Sequence, residues 1–405
     1  MKKPVTLRRS ISLTMMTFYG LGTIIGAGIY VLVGKVAGEA GHFAPAAFLV
    51  AALLAAFTAF SYAELVSRYP RSAGEAMYVE RAFNWPALAR LVGLMIIIVG
   101  VVSTATLANG FVGYLGRFVE LPAWLTISVL IIGLGVIAAW GIKASVGFAA
   151  LLTVIEIAGL MIVLWAARDV VFNLPVHMDM LVPDANALAW EGVLVGAFIA
   201  FYAFIGFEDM VNVAEEVKDA SRTVPIAIVL ALIITSVLYV LVAMTAVAGL
   251  PLEQLAASKA PLADMYTHYS GGPATVIVII GLLSVLNGIL VQIIMATRVL
   301  YGMSSQGWVH NWFARVHIGT RTPLNATLVV TTIILIMAMA LPLVTLAKIT
   351  SFVTLMVFTM MNLSLCRVKL IYKEHEGFTV PLIMPVLGTL VSGSFVIYQI
   401  VQVAK

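Results

Sequence analysis

The most constraining feature of this sequence is an apolar segment, residues 198–209, that carries Gly206 and the adjacent carboxylates Glu208 and Asp209. These residues are of no use to a helix that only crosses a bilayer, because glycine weakens a helix by about 1 kcal/mol. Another apolar segment, residues 22–28, contains three glycines. Helix breaks persist in lipid only where the freed backbone groups line a cavity. Two interrupted helices in corresponding positions therefore predict the binding site of a transporter.

The composition predicts a membrane protein. Of the 405 residues, 62% are hydrophobic and 10% are charged, whereas a soluble domain carries about 25% charged residues. Runs of about 20 apolar residues, each long enough to span a bilayer, recur along the whole chain. We therefore expect an all-α polytopic membrane protein that forms one transporter domain over residues 1–405, with the lipid bilayer as its surroundings.

The sequence also argues against several other classes of protein. The formal net charge of +4 comes from basic residues in short loops between apolar runs, so we expect no nucleic-acid partner. The single cysteine, Cys366, excludes an intramolecular disulfide. The sequence lacks a phosphate-cradling loop, His-Glu-x-x-His and Gly-x-Ser-x-Gly. We expect no enzyme activity, no cofactor and no metal site.

The order of the spans suggests an internal repeat. The predicted breaks near residues 25 and 205 are about 180 positions apart, and so are Pro45 and Pro225 at the start of the next spans. Five spans separate the two breaks, so the second unit enters the membrane from the opposite side, as in an inverted five-plus-five repeat with helices 1 and 6 broken. The predicted units are 11–167 (helices 1–5), 190–366 (helices 6–10) and 381–401 (helix 11).

Basic residues are unevenly distributed between the two sides of the predicted bundle. With the eleven spans placed as predicted, 17 of the 23 lysines and arginines lie on the side of the N-terminus and 5 on the other. Cytoplasmic loops carry the excess of Lys and Arg. We expect a multi-pass protein of a bacterial-type cell membrane with a cytoplasmic N-terminus. The predicted spans are 11–35, 44–67, 86–114, 123–140, 145–167, 190–215, 225–248, 273–301, 324–341, 343–366 and 381–401.

Several motifs, spread over nearly the whole chain, give it a family resemblance. They occur in the order and at the spacing typical of the amino acid–polyamine–organocation (APC) permeases, which the chain resembles. The stretch that follows the sixth span is the most specific of them. The motifs are residues 22–30, 61–65, 69–78, 201–208, 214–228, 297–303 and 321–325.

The resemblance implies the inverted-repeat fold shared with sodium-coupled neurotransmitter transporters, and secondary transport of amino acids or related amines. The chain departs from the family in two respects. Family members usually have twelve spans or more, whereas eleven are predicted here. Many members also carry a lysine in the fifth span, thought to stand in for a sodium ion in proton-coupled relatives, where this chain has Glu156. The coupling ion therefore stays open.

The predicted substrate site uses backbone from both breaks. An amino acid needs donors for its carboxylate and acceptors for its ammonium; the half-helix after the first break supplies N–H groups and a positive dipole end. Free carbonyls near the second break supply acceptors, and an aromatic side chain there resembles the family's gate. Close packing of helices through small residues is the alternative interpretation. The predicted substrate-binding residues are Ile25, Gly26, Ala27, Gly28, Phe201, Tyr202, Ala203, Phe204 and Gly206.

Two carboxylates are candidates for coupling or gating. Glu208 lies just past the second break and Glu156 lies in the middle of the fifth span. Intramembrane carboxylates are costly and are functional candidates by default. For both, a structural hydrogen bond is the alternative. Ser284 and Asn287 could bind a cation or the substrate, but no hydroxyl cluster typical of a sodium site stands out, which favours protons or plain exchange.

We therefore expect a secondary amino acid transporter that works by alternating access, either proton-coupled or exchanging, with sodium not excluded. No charged side chain is obviously placed for a cationic substrate tail, so small neutral or hydrophobic amino acids are the first prediction. An amine or polyamine carrier is the rival within the class. A channel, or a membrane sensor that binds amino acids without moving them, is the rival outside it. The sequence does not predict the oligomeric state.

Overall fold

The computed structural model describes residues 7–115, 118–173, 176, 178, 183, 187–258, 260–340, 343–372 and 375–403. Within these ranges the chain is helical and has no β-sheet; a single bridge joins Ile11 to Val217. Nine helices of this described part are long and apolar enough to cross a bilayer, and two shorter apolar helices, Leu324–Ala340 and Ile383–Ile397, accompany them. The predicted all-α polytopic fold is confirmed.

The helices follow the predicted spans closely. The sixth span differs, because its second half is a 3₁₀ segment, Phe207–Glu216, and not an α-helix. The helices are α1 (Leu13–Ala40), α2 (Ala44–Arg68), α3 (Gly74–Phe83), α4 (Pro86–Leu115), α5 (Ala123–Trp140), α6 (Ile142–Ala166), α7 (Arg168–Phe172), α8 (Ala187–Tyr202), α9 (Ala220–Gly249), α10 (Leu252–Ala257), α11 (Pro261–Ser270), α12 (Thr275–Ser305), α13 (Leu324–Ala340), α14 (Leu343–Ile371) and α15 (Ile383–Val403).

Large apolar side chains cover much of the outside of the bundle. Leu53, Val129 and Ile336 are each more than half exposed, at 58%, 65% and 61%. A water-facing surface rarely carries so many isolated large apolar groups on consecutive helices, whereas lipid tails solvate them without cost. The exterior is therefore suited to a bilayer.

The packing of the helices is reciprocal between the two predicted halves. Helices α1, α2, α4 and α5 pack against α8, α9, α12 and α13, which are their counterparts in the second half. The ten-residue helices α3 and α11 also occupy corresponding positions, after the second and seventh spans. Such pairing is expected around a pseudo-two-fold axis in the membrane plane. It supports the inverted repeat, which stays a prediction.

The chain before α1 closes one end of the bundle, which we call the N-terminal face. Backbone N–H groups of Ser10 and Ile11 donate to the carbonyl of Glu216, at 2.8 and 3.1 Å, and Lys218 N–H donates to the carbonyl of Ile11 at 3.0 Å. Below this pairing Arg298 of α12 forms a two-pronged ion pair with Glu216, with Nε–Oε2 at 2.9 Å and Nη2–Oε1 at 3.3 Å. Both side chains are at most 1% exposed.

The buried ion pair yields a prediction on stability. Glu216→Gln leaves the Arg298 guanidinium buried without a counter-charge, and arginine cannot lose its proton to escape. Breaking a buried pair in this way costs about 3–5 kcal/mol. Glu80→Gln is the matched control, because Glu80 joins Arg81 in an exposed pair at 3.9 Å, worth at most about 1 kcal/mol. Equilibrium unfolding of the detergent-solubilised protein measures both; equal losses would contradict the assignment.

Candidate functional site

The first helix break lies at Gly26, in the middle of α1. Its φ of 4° and ψ of −152° are not helical, and the two halves of α1 meet there at a kink. A side chain built on Gly26 would have open space around it, with no atom within 4 Å. Gly28, two residues on, lies against Ala203, whose Cα is 3.1 Å from where a β-carbon would be. The glycines therefore keep one side of the break open and bring the other against the second broken helix.

The second break follows the end of α8. Residues 203–206 form a turn, and Gly206 has φ of 137°, a conformation that favours glycine. A β-carbon on Gly206 would collide with the backbone of Thr23 and Ile24. The Gly206 N–H donates to Glu208 Oε2 at 2.7 Å. Glycine is required here both for its backbone angle and for the close crossing of the two broken helices.

Tyr239 of α9 connects the two breaks. Its buried hydroxyl lies 2.8 Å from the carbonyl oxygen of Ile24 and 3.1 Å from that of Ala203, so its single proton is shared between them. Its ring packs against Phe204 with centroids 5.1 Å apart. Unpaired carbonyls in a membrane core cost several kcal/mol each. Tyr239 therefore stabilises both interruptions at one point, a role that its position in an ordinary apolar helix did not predict.

A cavity of about 150 Å³ lies where the two breaks cross. Five of the predicted residues line it, namely Gly26, Gly28, Tyr202, Ala203 and Glu208. The other lining residues come from the same breaks and from α4, α12 and α14, and only Ser284 among them is a candidate binding residue from the sequence. These are Thr23, Ile24, Val99, Ser103, Thr106, Leu107, Ile205, Ser284, Gly288, Val291, Gln292, Thr350 and Thr354.

Other predicted site residues lie near the cavity without lining it. Ile25 and Phe204 are fully buried, and Phe204 packs on Tyr239. Phe201 is 5% exposed and lines a neighbouring pocket of about 200 Å³ together with Tyr202. Gly206 faces the backbone of α1, as described above. The side chain of Ala27 lies outside the described residues.

The predicted acceptor carbonyls have partners within the protein. The carbonyls of Ala200, Phe201 and Tyr202 accept N–H groups of the following turn at 2.9, 3.0 and 3.3 Å, and that of Ala203 faces Tyr239. A carbonyl oxygen has two lone pairs, so each retains capacity for one more donor. Hydroxyls on α4 and α14 and the Gln292 amide add polar groups to the cavity wall.

Glu208 lies at the end of the cavity toward the N-terminal face, and Asp209 follows it in the chain. Glu208 is 6% exposed and is a lining residue; Asp209 is 2% exposed and accepts a hydrogen bond from Gln292 Nε2 at 2.7 Å. Gln292 also lines the cavity. Two adjacent buried carboxylates repel each other when both are charged, so a proton on either one relieves that repulsion.

Glu156 lies behind the cavity, between α6 and α12. Its Oε1 accepts from Asn287 Nδ2 at 3.0 Å, while its Oε2 is buried without a hydrogen-bond partner. Asn287 also donates to Thr153 at 3.1 Å, and Tyr30 donates to the Glu156 carbonyl at 3.0 Å. Ser284 faces Glu156 and also lines the cavity. Among the described residues, no three His, Cys, Asp or Glu side chains cluster as metal ligands.

The fold and the site together define a class of protein. The chain is a multi-pass helical membrane protein whose cavity lies at the crossing of two interrupted helices, lined by backbone, hydroxyls and apolar side chains. Such cavities bind small polar ligands at mid-membrane depth.

Comparison with known proteins identifies the family. A family model described as amino acid permease matches residues 10–404. The chain belongs to the amino acid permease family, and it is a transporter and not an enzyme. It is 29% identical to the branched-chain amino acid permease BcaP of Bacillus subtilis over 383 residues, which cover 89% of this chain and 80% of the relative.

Other relatives are named for different substrates. The chain is 27% identical to the mitochondrial cationic amino acid transporter 3 of Arabidopsis thaliana, with 91% of this chain and 64% of that protein covered. It is 26% identical to the methylthioribose transporter of Bacillus subtilis, with 96% and 88% covered. The chain spans less than two thirds of that plant transporter. Because the relatives are also named for different substrates, similarity to them does not identify the substrate of this chain.

The open space beside Gly26 yields a prediction on binding. Gly26→Leu should fill the cavity and abolish ligand binding while the fold persists, because its β-carbon would meet no atom within 4 Å and Gly26 lines the cavity. The measurement is the thermal shift of the purified protein with each amino acid in turn. Saturation at 100 times Kd should stabilise a binding protein by about 2.7 kcal/mol. Gly133→Leu is the control, since Gly133 also faces open space but lies on the exposed surface of α5. Unchanged shifts in Gly26→Leu would place the site elsewhere.

Proposed function

We propose that this protein is a secondary active transporter that moves small neutral or hydrophobic amino acids across a bacterial-type cell membrane by alternating access, with its N-terminus in the cytoplasm. The observation that carries the proposal is the cavity at the crossing of the two breaks, because both interruptions open onto it. The family match supports amino acid transport. The substrate, the coupling and the orientation are the proposed parts.

The charged ends of an amino acid suit the two breaks. The half-helix of α1 after Gly26 presents its first N–H groups and the positive end of its dipole to a carboxylate. Backbone carbonyls of the second break and the hydroxyls of Ser103 and Thr106 are acceptors for an ammonium group. Tyr202, which is 43% exposed and borders both the cavity and the neighbouring pocket, is placed to close over a bound ligand.

The walls of the site favour an apolar substrate side chain. Val99, Leu107, Ile205 and Val291 contribute apolar surface to the cavity. The neighbouring pocket, reached past Tyr202 and Ile205, is lined by Leu32, Phe198, Ile199, Phe201, Tyr202, Ile205 and Leu355. Burying apolar area in such a pocket is worth about 25 cal/mol per Å². A branched or otherwise hydrophobic substrate side chain would gain this free energy of burial, whereas a charged side chain would not.

One observation favours a second candidate, a cationic amino acid or amine. Glu208 places a carboxylate on the cavity lining, and an ionised carboxylate attracts a second ammonium group. Its Oε2 already accepts the Gly206 N–H, which leaves Oε1 for such a ligand. The transport panel below separates this candidate from the neutral one.

Alternating access requires the N-terminal face to open. That face is held by the pairing of Ile11 with Val217 and by the Arg298–Glu216 ion pair. The ion pair joins the last residue of the 3₁₀ segment to α12, and the pairing joins the next residue, Val217, to the chain before α1. We propose that release of this segment opens a path from the cavity to the cytoplasm, and that protonation of Glu208, at its start, biases that release. Glu156, which joins α6 to α12 through its hydrogen bond from Asn287, is the second coupling candidate.

The experiment that tests the function is uptake by purified protein in proteoliposomes. The panel contains labelled leucine, valine, alanine, lysine and putrescine, with and without imposed proton or sodium gradients. Saturable accumulation of a neutral amino acid driven by a proton gradient is the expected result. Accumulation of lysine or putrescine alone would establish the cationic candidate. Uptake only into preloaded vesicles would identify an exchanger, and binding without any transport would identify a sensor.

Glu208→Gln tests the coupling role. The variant keeps the size of the side chain and a hydrogen-bond acceptor for Gly206, but it cannot carry a proton. We expect net uptake to lose its dependence on external pH while exchange of internal for external amino acid continues. Glu191→Gln, an exposed position on α8, is the control for removal of a carboxylate from the same span. A Glu208→Gln protein with an unaltered pH profile would exclude Glu208 from coupling.

Glu156→Gln is the corresponding test behind the cavity. The amide oxygen of the variant side chain would still accept from Asn287, so a structural role predicts near-normal transport. A coupling role predicts loss of proton-driven accumulation with exchange retained. Accumulation ratios under a fixed proton gradient distinguish the two.

A further inference from the structure

A second set of buried polar groups lies between the cavity and the N-terminal face. We call it the carboxylate compartment; it contains three acids, two tyrosines and an amide from α2, α3 and the 3₁₀ segment. All six side chains are at most 6% exposed. The members are Tyr62, Glu75, Tyr78, Glu208, Asp209 and Asn212.

Glu75 is the acid of the compartment that lies outside the second break and its 3₁₀ segment, and the transport proposal makes no use of it. It lies in the first turn of α3 and is 1% exposed. Its Oε1 accepts from Asn212 Nδ2 at 3.1 Å, and Asn212 Oδ1 accepts from Gly74 N–H at 3.2 Å. Its Oε2 is buried without a hydrogen-bond partner. One carboxylate oxygen of Glu75 is thus held by a hydrogen bond, and the other is available to bind a proton.

Other polar atoms of the compartment are in the same condition. The hydroxyls of Tyr62 and Tyr78 are buried and unpartnered. Tyr62 lies within electrostatic range of Glu75, Glu208, Asp209 and Tyr78, so it neighbours both the acid at the cavity and the acid in α3. Buried polar atoms without protein partners are usually satisfied by internal water. Hydroxyl groups close to two acids can relay a proton between them, together with internal water.

The charge balance of the compartment requires protons. The titratable groups that face Glu75 are Tyr62 from α2, Tyr78 from α3, and Glu208 and Asp209 from the 3₁₀ segment. No described lysine or arginine forms an ion pair with any of the three acids. Arg298, within electrostatic range of Tyr19 beside Asp209, is already paired with Glu216. Three buried carboxylates without a cation cannot all be ionised.

Glu75 also follows directly on a loop that reaches the N-terminal face. The loop of residues 69–73, which precedes α3, reaches the N-terminal face, where Arg71 is exposed and borders a pocket with Arg9 and Glu215. Ser72 N–H donates to Glu215 at 3.3 Å. Glu75 therefore follows Arg71, an exposed residue of the N-terminal face, by four positions in the chain.

We infer that Glu75 is a second proton-binding site of this carrier, which takes the proton that Glu208 releases and passes it to the N-terminal face. This inference rests on the proposed proton coupling. In the step, the Glu208 O–H bond breaks, its proton moves along the hydroxyls and waters of the compartment, and an O–H bond forms at Glu75 Oε2. Glu208 is left as the carboxylate and Glu75 becomes the neutral acid, so charge and protons balance. Glu75 then loses the proton to water at the N-terminal face.

The titration of Glu75 suits this role. Burial is the main cause that raises the pKa of Glu75 to about 8, against a smaller lowering by hydrogen bonds from backbone and from Asn212. An acid with this pKa exchanges its proton near neutral pH. An acid at its ordinary pKa would stay ionised there.

The first test needs no transport. Infrared difference spectra of the full-length protein in lipid, recorded across a pH titration, should contain a protonated-carboxyl band that disappears as the pH rises through about 8. The band should be missing from Glu75→Gln and present in Glu80→Gln, which makes the same change on the partly exposed side of α3. Spectra in which Glu75→Gln keeps the band, or in which no band titrates, would overturn the inference.

The second test measures proton-driven uptake in proteoliposomes. Glu75→Gln should lower accumulation under a proton gradient about tenfold or more, while exchange and the ligand-induced thermal shift stay at the wild-type level. A merely structural role would lower all three together. Proton-driven accumulation at the wild-type level in Glu75→Gln overturns the inference, and so does a wild-type protein that moves amino acids but no protons. A wild-type protein that moves no amino acid refutes the proposed function, and the infrared test then decides on Glu75 alone.

Discussion

The crossing of the two interrupted helices is the interaction on which the rest of this structure depends. Neither break is stable alone in a membrane, because each exposes carbonyls that lipid cannot solvate. The Tyr239 hydroxyl lies between the carbonyls of Ile24 and Ala203, and Gly206 approaches the backbone of α1 too closely for any side chain. Each break thus forms part of the environment of the other. The cavity is the space left where the two helices cannot close completely.

The same crossing explains where buried charge accumulates. A helix that ends in mid-membrane continues as the 3₁₀ segment, whose acids Glu208, Asp209 and Glu216 are all buried. Only Glu216 among these three has a cationic partner in the described part of the chain, Arg298, and that pair lies nearest the N-terminal face. Closure of this face and protonation of the cavity end are therefore properties of one segment. A structural change that releases the segment also alters the surroundings of its acids.

Much of the fold, and part of the site, could be predicted from the sequence. The apolar runs predict the spans. The glycines at 22–28 and 206 predict both breaks, because glycines and carboxylates are rare in segments that only cross a bilayer. Tyr239 and Gln292 could not be predicted, since an isolated polar group in a long apolar helix has no local signature and its role depends on what packs against it. For the same reason Ile25 and Phe204, next to the breaks in sequence, are buried without lining the cavity.

Glu156 lies in the fifth predicted span, α6, and its surroundings indicate how a carboxylate can serve there. Asn287 holds it on one side, and Gly22 of α1 packs against Asn287 and Thr153. Tyr30, beyond the break, is bonded to the Glu156 carbonyl. The first half of α1 therefore contacts Asn287 and Thr153, which surround Glu156. The second half of α1 is hydrogen-bonded to the backbone of Glu156 through Tyr30. The chain next to the break contacts Gly206, which lies beside Glu208. Since both carboxylates lie close to the same kinked helix, we expect a change in charge at either one to shift α1, and through it to alter the shape of the cavity.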